Sequence, residues 1–154
     1  MVTIQTVENI KRGGKLTLAN GIYAIFLGIA YIGFYNMIML LNFKRYDLLW
    51  ETFTEYNPEI AHMMLYSGLL KGIFIIALGI CIIYLSNFII KKKDKTAWVI
   101  LFVVGLIFWA SLLTIEVFSR NIYAIVASLI GWIMFIIGMI IPIKYYTQKV
   151  YESY

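Results

Sequence analysis

The sequence predicts an all-α integral membrane protein. The expected architecture is an antiparallel four-transmembrane-helix bundle with both termini inside and a short amphipathic surface helix between spans 1 and 2. Three observations predict it. Hydrophobic residues make up 62% of the chain and charged residues 14%, against roughly 45–50% and about 25% in soluble domains. The apolar excess is gathered into four uncharged blocks, 16–43, 72–90, 96–115 and 121–143. Each reaches or nearly reaches the ~20 residues that cross ~30 Å of hydrocarbon. The blocks also lack the polar stripe that a helix on a soluble core shows every turn. The spans are expected at about 16–42, 60–90, 96–117 and 121–143, within a single membrane domain covering residues 1–154.

Residues 1–15 are short and polar, with Lys11, Arg12 and Lys15 just before the first span. Val2, Ile4, Val7 and Ile10 allow a brief interfacial turn, and Gly13-Gly14 is expected to break the chain before span 1. Span 1 lacks a small-residue cleavage site and is too long for a signal peptide, so it reads as an uncleaved anchor. Residues 44–56 mix Lys44, Arg45, Asp47, Glu51 and Glu55 with Leu49, Trp50 and Phe53 at helical spacing, flanked by Tyr46 and Tyr56. That pattern predicts a helix lying in the interface plane.

Span 2 opens on Asn57-Pro58-Glu59, which combines a capping side chain, a proline at the first position and a carboxylate at the positive end of the dipole. It runs to the turn at Lys91, Lys92, Lys93, Asp94 and Lys95, interrupted only by Lys71. Span 3 leads through Phe118-Ser119-Arg120 to span 4, which has Pro142 near its end. Tyr145, Tyr146, Tyr151 and Tyr154 follow as expected interfacial anchors, and Tyr31, Tyr35 and Trp98 are assigned to the two aromatic belts. Trp109 and Trp132 fall deeper and are expected to pack between helices.

Orientation follows from the cations. Nine lie in the N-terminus, the second loop and the C-terminus (Lys11, Arg12, Lys15, Lys91, Lys92, Lys93, Lys95, Lys144, Lys149), against three in the other loops (Lys44, Arg45, Arg120). The positive-inside rule puts both termini in the cytoplasm, with the chain in the cytoplasmic membrane. The net charge of +5 then belongs to lipid headgroups, and nucleic acid is not an expected partner. Cys81 is the only cysteine, so no intrachain disulfide forms.

Lipid is as apolar as leucine, so close approach at small residues must help to hold the spans together. Gly21 and Gly28, Gly72 and Gly79, and Gly131 and Gly138 are each nearly two turns apart on one face. Gly68-x-x-x-Gly72 and Ala127-x-x-x-Gly131 add two further small-residue seams.

Few residues suggest chemistry. Counting about 20 residues at 1.5 Å from Ile90 reaches Lys71, and the same count from Ala97 reaches Glu116. The two charges are thus expected at one depth near the outer edge of the hydrocarbon, with Asn36 and Asn121 close by. They form either a polar pocket open to the outside or a pair that sets helix register. His62 is the only histidine, so two axial haem ligands are impossible; with Met63 and Met64 it is a weak candidate for a soft metal. Ser67, Ser86, Ser111, Thr114 and Ser128 have no base at hand and are expected to bond across helices or to their own backbone. No cofactor motif is found. The expected function is non-enzymatic: an accessory or structural subunit of a larger membrane complex, or a homo-oligomer. The alternative is a small transporter or channel component using Lys71 and Glu116.

Overall fold

Without water, every backbone N–H and C=O inside a bilayer must be satisfied within its own segment, which drives long apolar runs into helix. The computed structural model describes residues 4–44 and 49–148, and all of the elements there are helices. They are α1 (Ile4–Gly33), α2 (Tyr35–Lys44), α3 (Trp50–Tyr56), α4 (Pro58–Lys92), α5 (Lys95–Phe118), α6 (Ile122–Ile140) and α7 (Ile143–Gln148). Four helices are long and apolar enough to cross a membrane: Val7–Gly33 within α1, then α4, α5 and α6. Arg45, Tyr46 and Asp47 of the expected surface segment, Val2 at the N-terminus, and Lys149, Tyr151 and Tyr154 of the tail lie outside the described residues.

Two sequence expectations change. Gly13-Gly14 does not break the chain, because α1 passes through both. Their missing side chains are used for packing instead. A Cβ on Gly13 would sit 2.7 Å from the Gly138 carbonyl and from Pro142 Cδ, and one on Gly14 would sit 2.5 Å from Ile90 Cγ1. The single helix expected over 16–42 is interrupted at Phe34, between α1 and α2. The hydrogen-bond ladder nonetheless continues, with Phe34 N–H donating to Ala30 and Ile38 N–H to Phe34, both at 2.9 Å.

The loops are built by local chemistry. Asp94 Oδ1 accepts from the N–H groups of Thr96 (2.8 Å) and Ala97 (3.3 Å), capping α5. Asn121 Oδ1 does the same for Ala124 (3.2 Å) at the start of α6. The residue preceding each cap is left-handed: Lys93 and Arg120 both have φ 52°.

Burial along α1 and α4 follows a coiled-coil period. In α1 the buried positions include Gly14, Thr17, Gly21, Ala24, Gly28 and Tyr31; in α4 they are Ala61, Gly68, Gly72, Ile75, Gly79, Ile82, Ser86 and Ile89. Steps of three and four keep one stripe facing a neighbour over the whole length of a helix.

The chain forms two compact units, residues 24–77 and residues 1–23 with 78–154. In the 24–77 unit, a Cβ on Gly28 would lie 2.7 Å from the Gly72 carbonyl and 2.6 Å from Ile76 Cγ1. Tyr35 fills the space beside Gly68 and donates its hydroxyl to the Met64 carbonyl. Phe43, Trp50 and Phe53 cluster where α2 meets α3, with ring centroids 4.9 to 5.8 Å apart. In the other unit, Gly21 faces the Gly79 carbonyl and Ile83, Phe135 lies against Gly105, and the Trp109 ring lies against Gly131. Contacts between α1 and α4 pair rising numbers with falling ones (Gly14 with Ile90, Gly21 with Ile83).

Four residues assigned to aromatic belts are buried instead: Tyr31, Tyr35, Trp98 and Tyr146. Position along the chain does not fix which face of a helix a ring occupies.

Candidate functional site

The largest concentration of buried polar side chains lies in the unit formed by residues 1–23 and 78–154. Thr17, Asn20 and Tyr23 are three residues apart, so α1 carries them on one face. Asn20 is fully buried. Its amide Nδ2 donates to the Gly131 carbonyl of α6 (2.7 Å), and its Oδ1 accepts from Trp109 Nε1 of α5 (3.1 Å). One side chain thereby ties α1 to both α5 and α6. One turn along, the Tyr23 hydroxyl donates to the Ala127 carbonyl (2.8 Å), and its ring stacks 6.3 Å from Trp109. One turn the other way, Ser86 Oγ of α4 donates to Thr17 Oγ1 (2.9 Å), which in turn donates to the Gly14 carbonyl (2.9 Å).

These bonds require close backbones, and the glycines provide them. Gly131 has no side chain where the Trp109 six-membered ring rests, and a Cβ on Gly138 would lie 2.8 Å from Thr17 Cγ2. Asn20, Thr17, Ser86 and Trp109 thus form a polar seam inside otherwise apolar helices. Interhelical hydrogen bonds in bilayers average about 0.6 kcal/mol and reach about 1.7. The seam therefore contributes a few kcal/mol and, more specifically, fixes rotation and register.

Chemically the seam is quiet. An amide is neither acid nor base at ordinary pH, and both hydroxyl hydrogens are already directed to oxygen acceptors. His62, the only histidine of the sequence, belongs to the other unit, where it is exposed. Among the described residues no three His, Cys, Asp or Glu side chains gather into a metal-holding group.

The residues singled out from sequence are placed as follows. Lys71 is half-buried with Nζ 4.5 Å from the Tyr31 ring centroid, a cation–π contact within the 24–77 unit. Asn36, in the same unit, is exposed. Glu116, in the other unit, is buried at 2% exposure, and Asn121 there spends its carbonyl oxygen on the α6 cap. Gly28, Gly68 and Gly72 make their close contacts inside the 24–77 unit; Gly21, Gly131 and Gly138 make theirs in the other, where the Gly79 carbonyl faces Gly21 and the Ala127 carbonyl accepts from Tyr23. Ser67 and Thr114 bond to carbonyls of their own helices, Met64 (2.8 Å) and Ala110 (2.8 Å), whereas Ser86 bonds across to α1. Trp109 packs between helices at zero exposure.

Asn20 is the residue that reading the sequence missed. The available signal was its spacing: Thr17, Asn20 and Tyr23 share the face that carries Gly21. A lone amide in an apolar span predicts a polar partner, though not which one.

No protein-family model, curated protein or solved structure matches this chain.

Proposed function

We propose that the chain is a non-enzymatic structural protein of the cytoplasmic membrane, working as an accessory subunit of a larger integral-membrane complex or as a homo-oligomer. The observation that carries this reading is the self-contained polar seam. Asn20, Thr17, Ser86 and Trp109 direct their polar atoms at one another and at backbone carbonyls. Such a core holds helices in register. Outside it, Phe26, Met63, Phe74, Ile107 and Phe118 are well exposed, an apolar surface suited to lipid tails and neighbouring spans.

The finer architecture belongs to the same proposal: an antiparallel four-span bundle, both termini in the cytoplasm, with α3 lying on the outer membrane surface. The reversed pairing of α1 and α4 supports the first element and the distribution of lysine the second. Trp50 and Phe53 of α3 on the Phe43 ring support the third.

The test is the native mass of the protein extracted in mild detergent from its own membrane. A mass well above one chain plus micelle, with other polypeptides in fixed ratio or as a symmetric multiple, is expected. A lone monomer contradicts the proposal.

A second reading, a small transporter or channel component, draws on one observation: Glu116 is buried at 2% in a helix apolar enough to span a bilayer. Acidic residues there mark ion and proton pathways by default. Under this reading Glu116 is the group on the transport path. Solute or ion flux into liposomes that is lost on Glu116→Gln supports it; no flux above empty liposomes removes it.

A further inference from the structure

The joint between α6 and α7 is made by Ile141 and Pro142. Pro142 has no N–H, so the backbone ladder is interrupted there. Beyond it, α7 is only six residues long. Its regular hydrogen bonds begin with Tyr145 and Tyr146 donating to the Pro142 carbonyl at 3.1 and 3.4 Å, the second of them long. A helix this short does not hold its place by its own propensity. Its most deeply buried side chain is Tyr146. It is buried at 2% exposure and stacks on Trp98 of α5, with centroids 5.1 Å apart and planes 21° apart; Trp98 in turn stacks on Phe102 at 5.6 Å.

That contact has an internal conflict. Both rings bring a polar hydrogen into the buried zone, and among the described residues neither Tyr146 OH nor Trp98 Nε1 has a hydrogen-bond partner. Asp94, whose charge acts on Tyr146, directs Oδ1 to the N–H groups of Thr96 and Ala97. Stacking and apolar burial therefore favour docking, while two unsatisfied donors at the same contact oppose it. Undocking lets both find acceptors, either water or the ester and phosphate oxygens at a lipid interface.

We propose that α7 is a releasable latch: it hinges at Pro142, closes when Tyr146 seats on Trp98, and opens readily because closure buries two unpartnered donors. When it opens, the start of α5, which carries Lys95 and the buried Ala97 and Trp98, becomes accessible to whatever lies at that end of the helices. This goes beyond the structural-subunit reading and does not depend on it, since it concerns motion within one chain.

Removal of the phenol oxygen distinguishes this device from an ordinary anchor. Tyr146→Phe keeps the ring and its stack but deletes one unsatisfied donor, and so favours the closed state. Hydrogen–deuterium exchange of the α7 amides, measured on the full chain in bilayer nanodiscs, reads the open fraction. Relative to the unmodified protein, Tyr146→Phe is expected to slow exchange by about fivefold or more, the effect of relieving one buried unpaired group. Tyr146→Ala is expected to bring it close to the unprotected rate. Exchange that is unchanged or faster in Tyr146→Phe overturns the proposal, because it means the hydroxyl is satisfied when closed. Protection retained in Tyr146→Ala overturns it too, because the stack is then not what holds α7.

Discussion

Replacing Asn20 with leucine tests the polar seam directly. Leucine keeps the branched shape and suits a membrane helix, but its methyl groups are bulkier than the amide, so the loss combines missing hydrogen bonds with some crowding and leaves no cavity. Two bonds disappear: Asn20 Nδ2 to the Gly131 carbonyl (2.7 Å) and Trp109 Nε1 to Asn20 Oδ1 (3.1 Å). At about 0.6–1.7 kcal/mol each in a bilayer, they account for about 1–3 kcal/mol. The indole N–H of Trp109, a residue with zero exposure, is also left unpaired, which adds about 1–3 kcal/mol. Some of this is offset because leucine needs no polar partner, so a net loss of about 2–4 kcal/mol is expected. The assay is reversible unfolding by denaturing detergent in mixed micelles, followed by tryptophan fluorescence. A double-mutant cycle isolates the indole contribution. In a Trp109→Phe background no N–H remains to be orphaned, so Asn20→Leu should cost at least about 1 kcal/mol less there. A loss below about 0.5 kcal/mol for Asn20→Leu, or strict additivity in the cycle, refutes the reasoning.

Three further predictions follow from local geometry. Gly131→Ala places a methyl group in the Trp109 ring and should cost about 1–3 kcal/mol by overpacking, whereas Gly33→Ala, with nothing within 4 Å of the new Cβ, should be neutral or stabilising by up to about 1 kcal/mol; the same unfolding assay compares them. Lys93→Gly and Arg120→Gly relieve a left-handed φ of 52° and should each stabilise by about 0.5–1 kcal/mol, while Asp94→Ala removes the α5 cap and should destabilise by about 1 kcal/mol. The Tyr146 phenol is pushed up to about 12 by burial, reinforced by the charges of Tyr145 and Asp94. Its unfolded value is about 10, so the folded state disfavours the phenolate: this contribution is constant below pH 10 and is lost as pH rises toward 12. Ultraviolet titration at 295 nm should show a late-ionising tyrosine fraction that is smaller by one residue in Tyr146→Phe.

The four long apolar helices were legible because hydrocarbon accepts only long unbroken apolar runs, and the sequence contains four. Helix α4 was placed almost to the residue, since Pro58 and the lysine-rich turn mark its ends. Gly13-Gly14 was misread for a physical reason. In water a glycine pair frees the backbone, but in a packed membrane helix the hydrogen-bond ladder holds the backbone and the missing side chains become a contact surface, here against Pro142 and Ile90. The belt assignments of Tyr31, Tyr35, Trp98 and Tyr146 failed because position along the chain gives depth, while burial depends on rotation about the helix axis. The α1 stripe through Gly14, Thr17, Gly21 and Ala24 shows that rotation once read at steps of three and four. Asn20 was hidden because its partners Gly131 and Trp109 lie 111 and 89 residues away, and no local pattern names a distant acceptor.

In the proposed architecture the helices cross a membrane and turn back at Lys93 and at Arg120. Cys81 is the only cysteine, so Cys81→Ala gives a background in which single introduced cysteines report sidedness. Lys93→Cys and Arg120→Cys, probed with a membrane-impermeant thiol reagent on intact cells and on permeabilised ones, bracket α5. The expected result is labelling of Arg120→Cys on intact cells and of Lys93→Cys only after permeabilisation. Labelling of both from the same face would mean that α5 does not cross, and would contradict the proposed architecture and the structural role built on it.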